Sequence, residues 1–106
     1  MASGTGTNFE ALHTAIACGD LDARIHLLVV NNPGCEAIQR ASRLNIPCEL
    51  RDHRQFASRE AMDEDLVATF RNEGVEAVVM AGWMRIVTPV LIDAFPGRLI
   101  NIHPSL

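Results

Sequence analysis

The strongest constraint on this chain is an alternation between segments with helical periodicity and short, unbroken runs of apolar residues. Residues 27–30 and 77–81 are two such runs. Runs of this length without polar positions are typical of strands that are buried on both faces of a sheet. In the segments around them, apolar residues recur every three or four positions, as on one face of a helix. The alternation predicts an α/β fold with an open, mostly parallel sheet and crossover helices.

The predicted order of elements is helix, strand, helix, strand, helix, strand, short helix, strand. Helices are predicted at residues 9–18, 35–44 and 58–74, and strands at residues 24–30, 47–50, 77–81 and 98–103. Ser58 is the predicted N-cap of the longest helix. Thr88 and Pro89 are the predicted N-cap and first residue of the short helix.

Size, charge and cysteine content limit the classes of protein to which the chain can belong. Its 106 residues, 48% hydrophobic and 21% charged, suit one domain spanning residues 1–106. A net charge of −4 argues against a nucleic-acid partner, although a helix N-terminus can still hold one phosphate. No apolar run approaches the roughly 20 residues of a membrane span. Three widely spaced cysteines indicate reduced thiols and a cytoplasmic protein.

A glycine-rich loop at residues 3–8 leads into the first predicted helix. Its glycines permit a tight turn in which backbone N–H groups approach an anion, and Thr7 or Asn8 can cap the helix or donate to a phosphate. The loop lacks the Gly-Lys-Ser/Thr of a Walker A motif, and Phe9 stands in place of the third glycine of the dinucleotide fingerprint. The pattern favours a single phosphate, and a plain capped turn explains it equally well.

The second candidate site is the pair Asn101 and His103 on the last predicted strand. Residues two apart in a strand project from the same face, and open α/β sheets bind ligands at the carboxyl ends of their strands. Pro104 restricts His103 to an extended backbone. An amide donor beside an imidazole can polarise a carbonyl and stabilise the charge that develops on nucleophilic attack. Catalysis is therefore favoured over a satisfied polar pair.

Two weaker candidates are a loop and a single arginine. Residues 82–87 combine apolar bulk with Arg85, so they could line a flat aromatic ligand whose carboxylate meets the guanidinium. Core packing beside a surface arginine explains this loop equally well, and Arg59 is expected in an exposed first turn. No metal is predicted, because the remaining histidines lack metal-site spacing and are expected to be structural or solvated: His13, His26 and His53.

Together these segments resemble phosphoribosylglycinamide formyltransferase, the folate-dependent enzyme of purine synthesis, over nearly the whole chain. The matching motifs are residues 3–8, 58–61, 81–85 and, most specifically, 97–106. The resemblance implies a Rossmann-like amino-terminal domain. It also implies formyl transfer from 10-formyltetrahydrofolate to the amine of glycinamide ribonucleotide in de novo purine biosynthesis, with small-molecule substrates and a possible homodimer.

The same resemblance implies roles for individual residues. Gly6, Thr7 and Asn8 would bind the ribonucleotide phosphate, and Arg59 would face the same substrate. The folate site would be lined by Met84, Arg85, Ile86, Val87, Leu99 and Asn101. Asn101 and His103 would be the catalytic residues, which hold and polarise the formyl oxygen while the amine attacks.

The chain departs from this family at both ends, where it looks truncated. Only Met1 and Ala2 precede the glycine loop, so the buried first strand of the family is expected to be absent. The aspartate that pairs with the catalytic histidine in the family is expected beyond Leu106. A sheet without a central strand exposes unpaired edges, so the chain alone is expected to be an inactive, poorly stable part of a domain.

Three alternative functions stay open. Methionyl-tRNA formyltransferase and formyltetrahydrofolate deformylase share the Asn-x-His strand, but the first requires a basic surface and the second transfers the formyl group to water. The third alternative is a non-catalytic, phosphate-binding remnant. The loop at residues 3–8 favours the ribonucleotide enzyme over the first two.

Overall fold

A computed structural model describes residues 1–102. The helices are α1 (Thr7–Ala17), α2 (Glu36–Arg43), α3 (Arg59–Asn72) and α4 (Pro89–Ala94), and the strands are β1 (Leu28–Val30), β2 (Cys48–Leu50), β3 (Val78–Ala81) and β4 (Leu99–Ile102). A 3-10 turn at His53–Gln55 is the one addition to the predicted order. Both predicted caps are confirmed, because Ser58 accepts from the N–H of Ala61 and Thr88 accepts from the N–H of Val90.

The first predicted strand is shorter than expected. It begins at Leu28 and not at residue 24, and the N–H of Leu28 donates to the carbonyl of Pro47 at 2.9 Å. β2 begins at Cys48, which pairs with Leu28. Residues 24–27 therefore have no described strand beside them on the β2 side and lie outside the sheet.

The two strand pairs are both parallel, and the first two residues of the chain join them. β1 pairs with β2, and β3 pairs with β4. The N–H of Ala2 donates to the carbonyl of Val29 at 2.9 Å, and the N–H of Ala81 donates to the carbonyl of Met1 at 2.8 Å. The order across the sheet is therefore β2, β1, Met1 with Ala2, β3, β4.

No strand of the described chain lies between β1 and β3. Met1 and Ala2 are buried and occupy the central position, where Ala2 forms a parallel bridge with Val30. The backbone of these two residues binds β1 on one side and β3 on the other. The fold is α/β with parallel pairing, as predicted.

Helices cover both faces of the sheet. Leu28 and Val30 pack in one core cluster with Phe9 of α1, whereas Val29 packs in the other with Leu66 of α3. Alternate residues of a strand face opposite sides, which explains why these short strands are apolar throughout. From Met1 and Ala2 at the centre, the chain passes through β1 to β2 at one edge of the sheet. It then crosses through α3 to β3 and β4 on the other side of the centre. The reversal lies between Ala2 and β3, and ligands of open α/β sheets bind at such a point.

None of the helices within residues 1–102 combines the length and apolar character required to cross a membrane.

The buried amino group of Met1 predicts a pH-dependent stability in a polypeptide that begins at this residue. The amino group donates to the carbonyl of Val79 at 2.8 Å, and burial lowers its pKa from 8.0 to about 5. The folded state therefore binds fewer protons than the unfolded state between these pH values. The free energy of unfolding should be greatest above pH 8 and should fall by up to about 4 kcal/mol as the pH approaches 5. Urea unfolding across this range measures the loss.

Acetylation of the amino group is the control, because it removes this titration and leaves the other ionisable groups in place. The acetylated chain should lose most of the pH dependence between pH 5 and 8. Equal slopes for the two forms would contradict the prediction.

Candidate active site

Three of the segments predicted to carry function meet at the carboxyl edge of the sheet. Residues 3–6 follow Ala2 at the centre, residues 82–87 follow β3, and Asn101 lies near the end of β4 opposite Met80. The first two are joined directly, because the N–H of Met84 donates to the hydroxyl of Ser3 at 2.9 Å. The topological reversal of the sheet therefore brings together loops that are about 80 residues apart in sequence.

The glycine loop ends at Gly6, which is the N-cap of α1 and has a φ of 80°. A Cβ atom at this position would lie 2.9 Å from both Cα and Cβ of Ala37, so only glycine allows the loop to approach α2 this closely. Of the two roles open to Thr7 or Asn8, capping of α1 is ruled out, because both residues lie inside the helix and no side chain caps it among the described residues. The N–H groups of the first turn are left available to an anion.

An arginine of α2 supports the glycine loop from behind. The Nε atom of Arg40 donates to the carbonyl of Thr5 at 2.6 Å, and its guanidinium also forms an ion pair with Glu10 of α1. The N–H of Ala37 donates to the carbonyl of Gly4 at 3.2 Å. Because Glu10 balances its charge, Arg40 acts on the geometry of the loop. The sequence pattern held no sign of this contact, which joins residues 35 positions apart.

A cavity of about 240 Å³ lies between the 3-10 turn, the start of α3 and the loop at residues 82–87. Three residues of the predicted site line it: Arg59, Arg85 and Ile86. Arg59 is exposed and Arg85 is half-buried. Neither guanidinium forms an ion pair within the described part of the chain. With Asp63 the cavity carries two arginines and one carboxylate, a net positive charge that favours an anionic ligand.

The remaining residues assigned to the folate site fall into two groups. Met84 and Ile86 are 77% and 66% exposed. Val87 and Leu99 are partly buried and pack against the core beneath α3 and α4. The exposed pair is available to a flat apolar ligand, whereas Val87 and Leu99 hold the base of the loop and of β4. The cavity wall groups Arg59 with Arg85 and Ile86 and does not include the glycine loop.

Of the two predicted catalytic residues, the structure describes one. Asn101 is exposed on β4 and alternates with Ile100, so it projects from the same face as Leu99, towards α3 and α4. His103 lies outside the described residues. Its pairing with Asn101 stays a prediction.

Several cavity residues were not predicted. His53 and Phe56 come from the 3-10 turn, and Asp63 comes from α3. His53, expected to be structural or solvated, has a buried Nδ1 atom for which no hydrogen-bond partner is found in residues 1–102. Asp52 caps this turn by accepting from the N–H of Arg54 at 3.0 Å. Aspartate side chains favour turns by accepting from the backbone N–H two residues on, so Asp52 could have indicated this element.

The larger cavity of about 520 Å³ is a poor candidate for the site. It lies at the opposite, amino-terminal ends of β1 and β3, and its wall comes mainly from residues 21–28 and 74–79. None of the predicted site residues lines it. Within residues 1–102, no three His, Cys, Asp or Glu side chains form a group that could hold a metal ion.

Comparison with known proteins identifies the family. Residues 1–106 match the family model described as "Formyl transferase". The chain belongs to the formyl transferase family. The matched range includes the glycine loop, the loop at residues 82–87 and the segment from Asn101 to His103.

Named relatives of this formyl transferase chain come from bacteria and animals. Phosphoribosylglycinamide formyltransferase of Bacillus subtilis (strain 168) is 36% identical over 105 residues, which are 99% of the chain and 54% of that protein. The trifunctional purine biosynthetic protein adenosine-3 of Gallus gallus is 38% identical over 106 residues, which are 100% of the chain and 11% of that protein.

A crystal structure confirms the fold. Glycinamide ribonucleotide transformylase 1 from Geobacillus kaustophilus superposes with a TM-score of 0.92 at 39% identity, over 99% of this chain and 56% of that one. The formyl transferase chain therefore has the α/β fold of these enzymes and spans about half the length of the Bacillus and Geobacillus proteins.

Proposed function

We propose that this chain forms part of an enzyme that transfers the formyl group of 10-formyltetrahydrofolate to the amine of glycinamide ribonucleotide. The observation that carries the proposal is the hydrogen bond between Ser3 and Met84, which joins a loop suited to phosphate to a loop suited to a flat ring. Two substrates bound on adjoining loops are held close enough to react, which supplies much of the rate of a group transfer. The names of the relatives support this choice of acceptor.

In the proposed reaction the glycinamide nitrogen attacks the formyl carbon. A C–N bond forms, and the π electrons of the carbonyl move to its oxygen. The tetrahedral intermediate then collapses: the bond to N10 of the folate breaks and the carbonyl re-forms. The attacking nitrogen loses a proton and N10 gains one. The amide of Asn101 would donate to the oxyanion, with His103 as a second donor and proton carrier.

The proposed binding roles follow the two loops. The first-turn N–H groups of α1, with Gly6, Thr7 and Asn8, would hold the ribonucleotide phosphate. The folate would lie against the second loop and the end of β4: Met84, Arg85, Ile86, Val87, Leu99 and Asn101. Arg59 would face the ribonucleotide from the shared cavity.

Calorimetry with the two substrates tests this proposal. Glycinamide ribonucleotide should bind to the chain, and Arg59→Ala should weaken that binding about tenfold, because a charge-assisted hydrogen bond contributes about 1.5–3 kcal/mol. Arg85→Ala should weaken binding of the folate donor by a similar factor and leave the ribonucleotide unaffected. Arg71→Ala, an exposed arginine at the other end of α3, is the matched control and should bind both substrates like the wild type.

Absence of ribonucleotide binding would refute the proposal. An effect of Arg59→Ala on the folate alone would move Arg59 to the folate site. Binding of both substrates without turnover is the result expected of this chain as part of a domain. The same result in a longer form that carries the whole domain would favour the alternative of a non-catalytic phosphate-binding protein. Transfer of the formyl group to water would favour the deformylase.

We also propose that the enzyme is cytoplasmic. Cys18, Cys35 and Cys48 are free, as expected of a protein in the reducing cytoplasm. Homodimer formation and the absence of a nucleic-acid partner are parts of the same proposal.

A further inference from the structure

A buried carboxylate outside the predicted site binds the residue that follows the loop at residues 82–87. Asp63, in the second turn of α3, is 4% exposed, and its Oδ2 atom accepts from the N–H and from the hydroxyl of Thr88, each at 2.7 Å. No basic side chain among residues 1–102 forms an ion pair with it. A buried charge without a counter-ion is costly unless hydrogen bonds satisfy it, so these two bonds determine where Asp63 and Thr88 lie.

Thr88 marks the junction between the loop and α4. Its hydroxyl also accepts from the N–H of Val90 at 3.3 Å as the N-cap of the helix. Asp63 therefore binds Thr88, which directly follows the loop at residues 82–87. Ser3 binds Met84 near the start of the same loop. The loop is attached at two points, one on the glycine loop and one on α3.

The residues between these two points line the smaller cavity. Arg85 and Ile86 form one part of its wall, and Arg59 and Asp63 form another. Arg59 and Asp63 are four residues apart, about one turn of the same helix. A single rigid helix therefore carries one of the two cavity arginines and the acceptor that fixes the loop carrying the other.

We infer that Asp63 is a positioning residue, which acts through Thr88 to hold Arg85 and Ile86 in place relative to Arg59 and so sets the fit of the folate donor. The inference rests on the proposed function for the identity of the ligand. The effect on the loop requires no ligand and can be measured alone.

Trp83 reports on the loop, because it is the only tryptophan in the chain and lines the same cavity. Asp63→Asn keeps the size of the side chain and removes its charge, whereas Asp63→Ala removes the acceptor. Acrylamide quenching of Trp83 fluorescence should rise in both variants, about twofold in Asp63→Ala. In the transfer assay the KM for the folate donor should rise about tenfold, with a much smaller change in kcat.

Three control variants separate positioning from general stability. Leu28→Ala removes buried methyl groups from the other core cluster, which includes no residue of the loop at 82–87 or of α4, and should lower stability without changing the quenching. Thr88→Ser keeps both hydrogen-bonding groups and should behave like the wild type. Thr88→Val loses the hydroxyl and should raise the quenching as Asp63→Asn does.

Unchanged quenching in both Asp63→Asn and Thr88→Val, which keep the shape of the original side chains, would overturn the inference. A rise in quenching with an unchanged KM for the donor would overturn its claim about ligand fit. Failure of a longer form that carries the whole domain to transfer a formyl group would refute the proposed function, and the quenching result would still decide whether Asp63 positions the loop.

Discussion

Replacement of Gly6 by alanine is expected to abolish ribonucleotide binding and to lower the free energy of unfolding by about 2–5 kcal/mol. Two effects add at this position. A side chain in the left-handed conformation costs about 1–2 kcal/mol, and the new methyl group would lie 2.9 Å from the backbone of Ala37. Relief of that clash moves the loop away from α2 and turns the first-turn N–H groups away from the phosphate. Urea unfolding and calorimetry measure the two losses.

Two other glycines are matched controls. Gly19 has a φ of 82° with no atom within 4 Å of an added Cβ, so Gly19→Ala should show the backbone cost alone, about 1–2 kcal/mol. Gly4 has neither a positive φ nor a close neighbour, so Gly4→Ala should have little effect on stability. A Gly6→Ala protein as stable as Gly4→Ala would show that the loop does not depend on its approach to α2.

Replacement of Asn101 by alanine should reduce kcat for formyl transfer about 10²–10³-fold, the usual effect of removing one donor to an oxyanion. The Kd for glycinamide ribonucleotide should change little, because the phosphate is held at the other loop. His103→Ala should likewise lower turnover far more than binding. Both are measured in a form of the enzyme that carries out the transfer, with calorimetry alongside the assay.

Asn72→Ala is the control for Asn101→Ala, since Asn72 is an exposed asparagine at the end of α3. It should retain wild-type turnover. Wild-type kcat in Asn101→Ala would remove the amide from its proposed role, and a large loss of ribonucleotide affinity would show that Asn101 binds substrate instead of stabilising the transition state.

The sequence predicted those features that depend on neighbouring residues. The capping hydroxyls of Ser58 and Thr88 act on N–H groups two or three residues away, so a short motif predicts them. The two-faced burial of Leu28, Val29 and Val30 was also predictable, because alternation along a strand sends successive side chains to opposite cores.

A distant partner decided two local features. Capping of α1 was one of two roles open to Thr7 or Asn8, and the N-cap is Gly6, against which α2 lies. Met1 and Ala2 form no strand, but β1 and β3 lie on either side and bind them. Each result depends on segments more than 25 residues away.

Periodicity, caps and motifs thus determined the order of elements, the parallel α/β fold and the family, because each of these follows from residues within about a turn or a strand of one another. The tertiary structure alone decided which loops adjoin. The bond from Met84 to Ser3 spans 81 residues and the bond from Thr88 to Asp63 spans 25. Such contacts are set by the crossover at α3 and by packing across the whole sheet. For this reason the cavity formed by His53, Arg59, Asp63 and Arg85 appears only once the chain has folded.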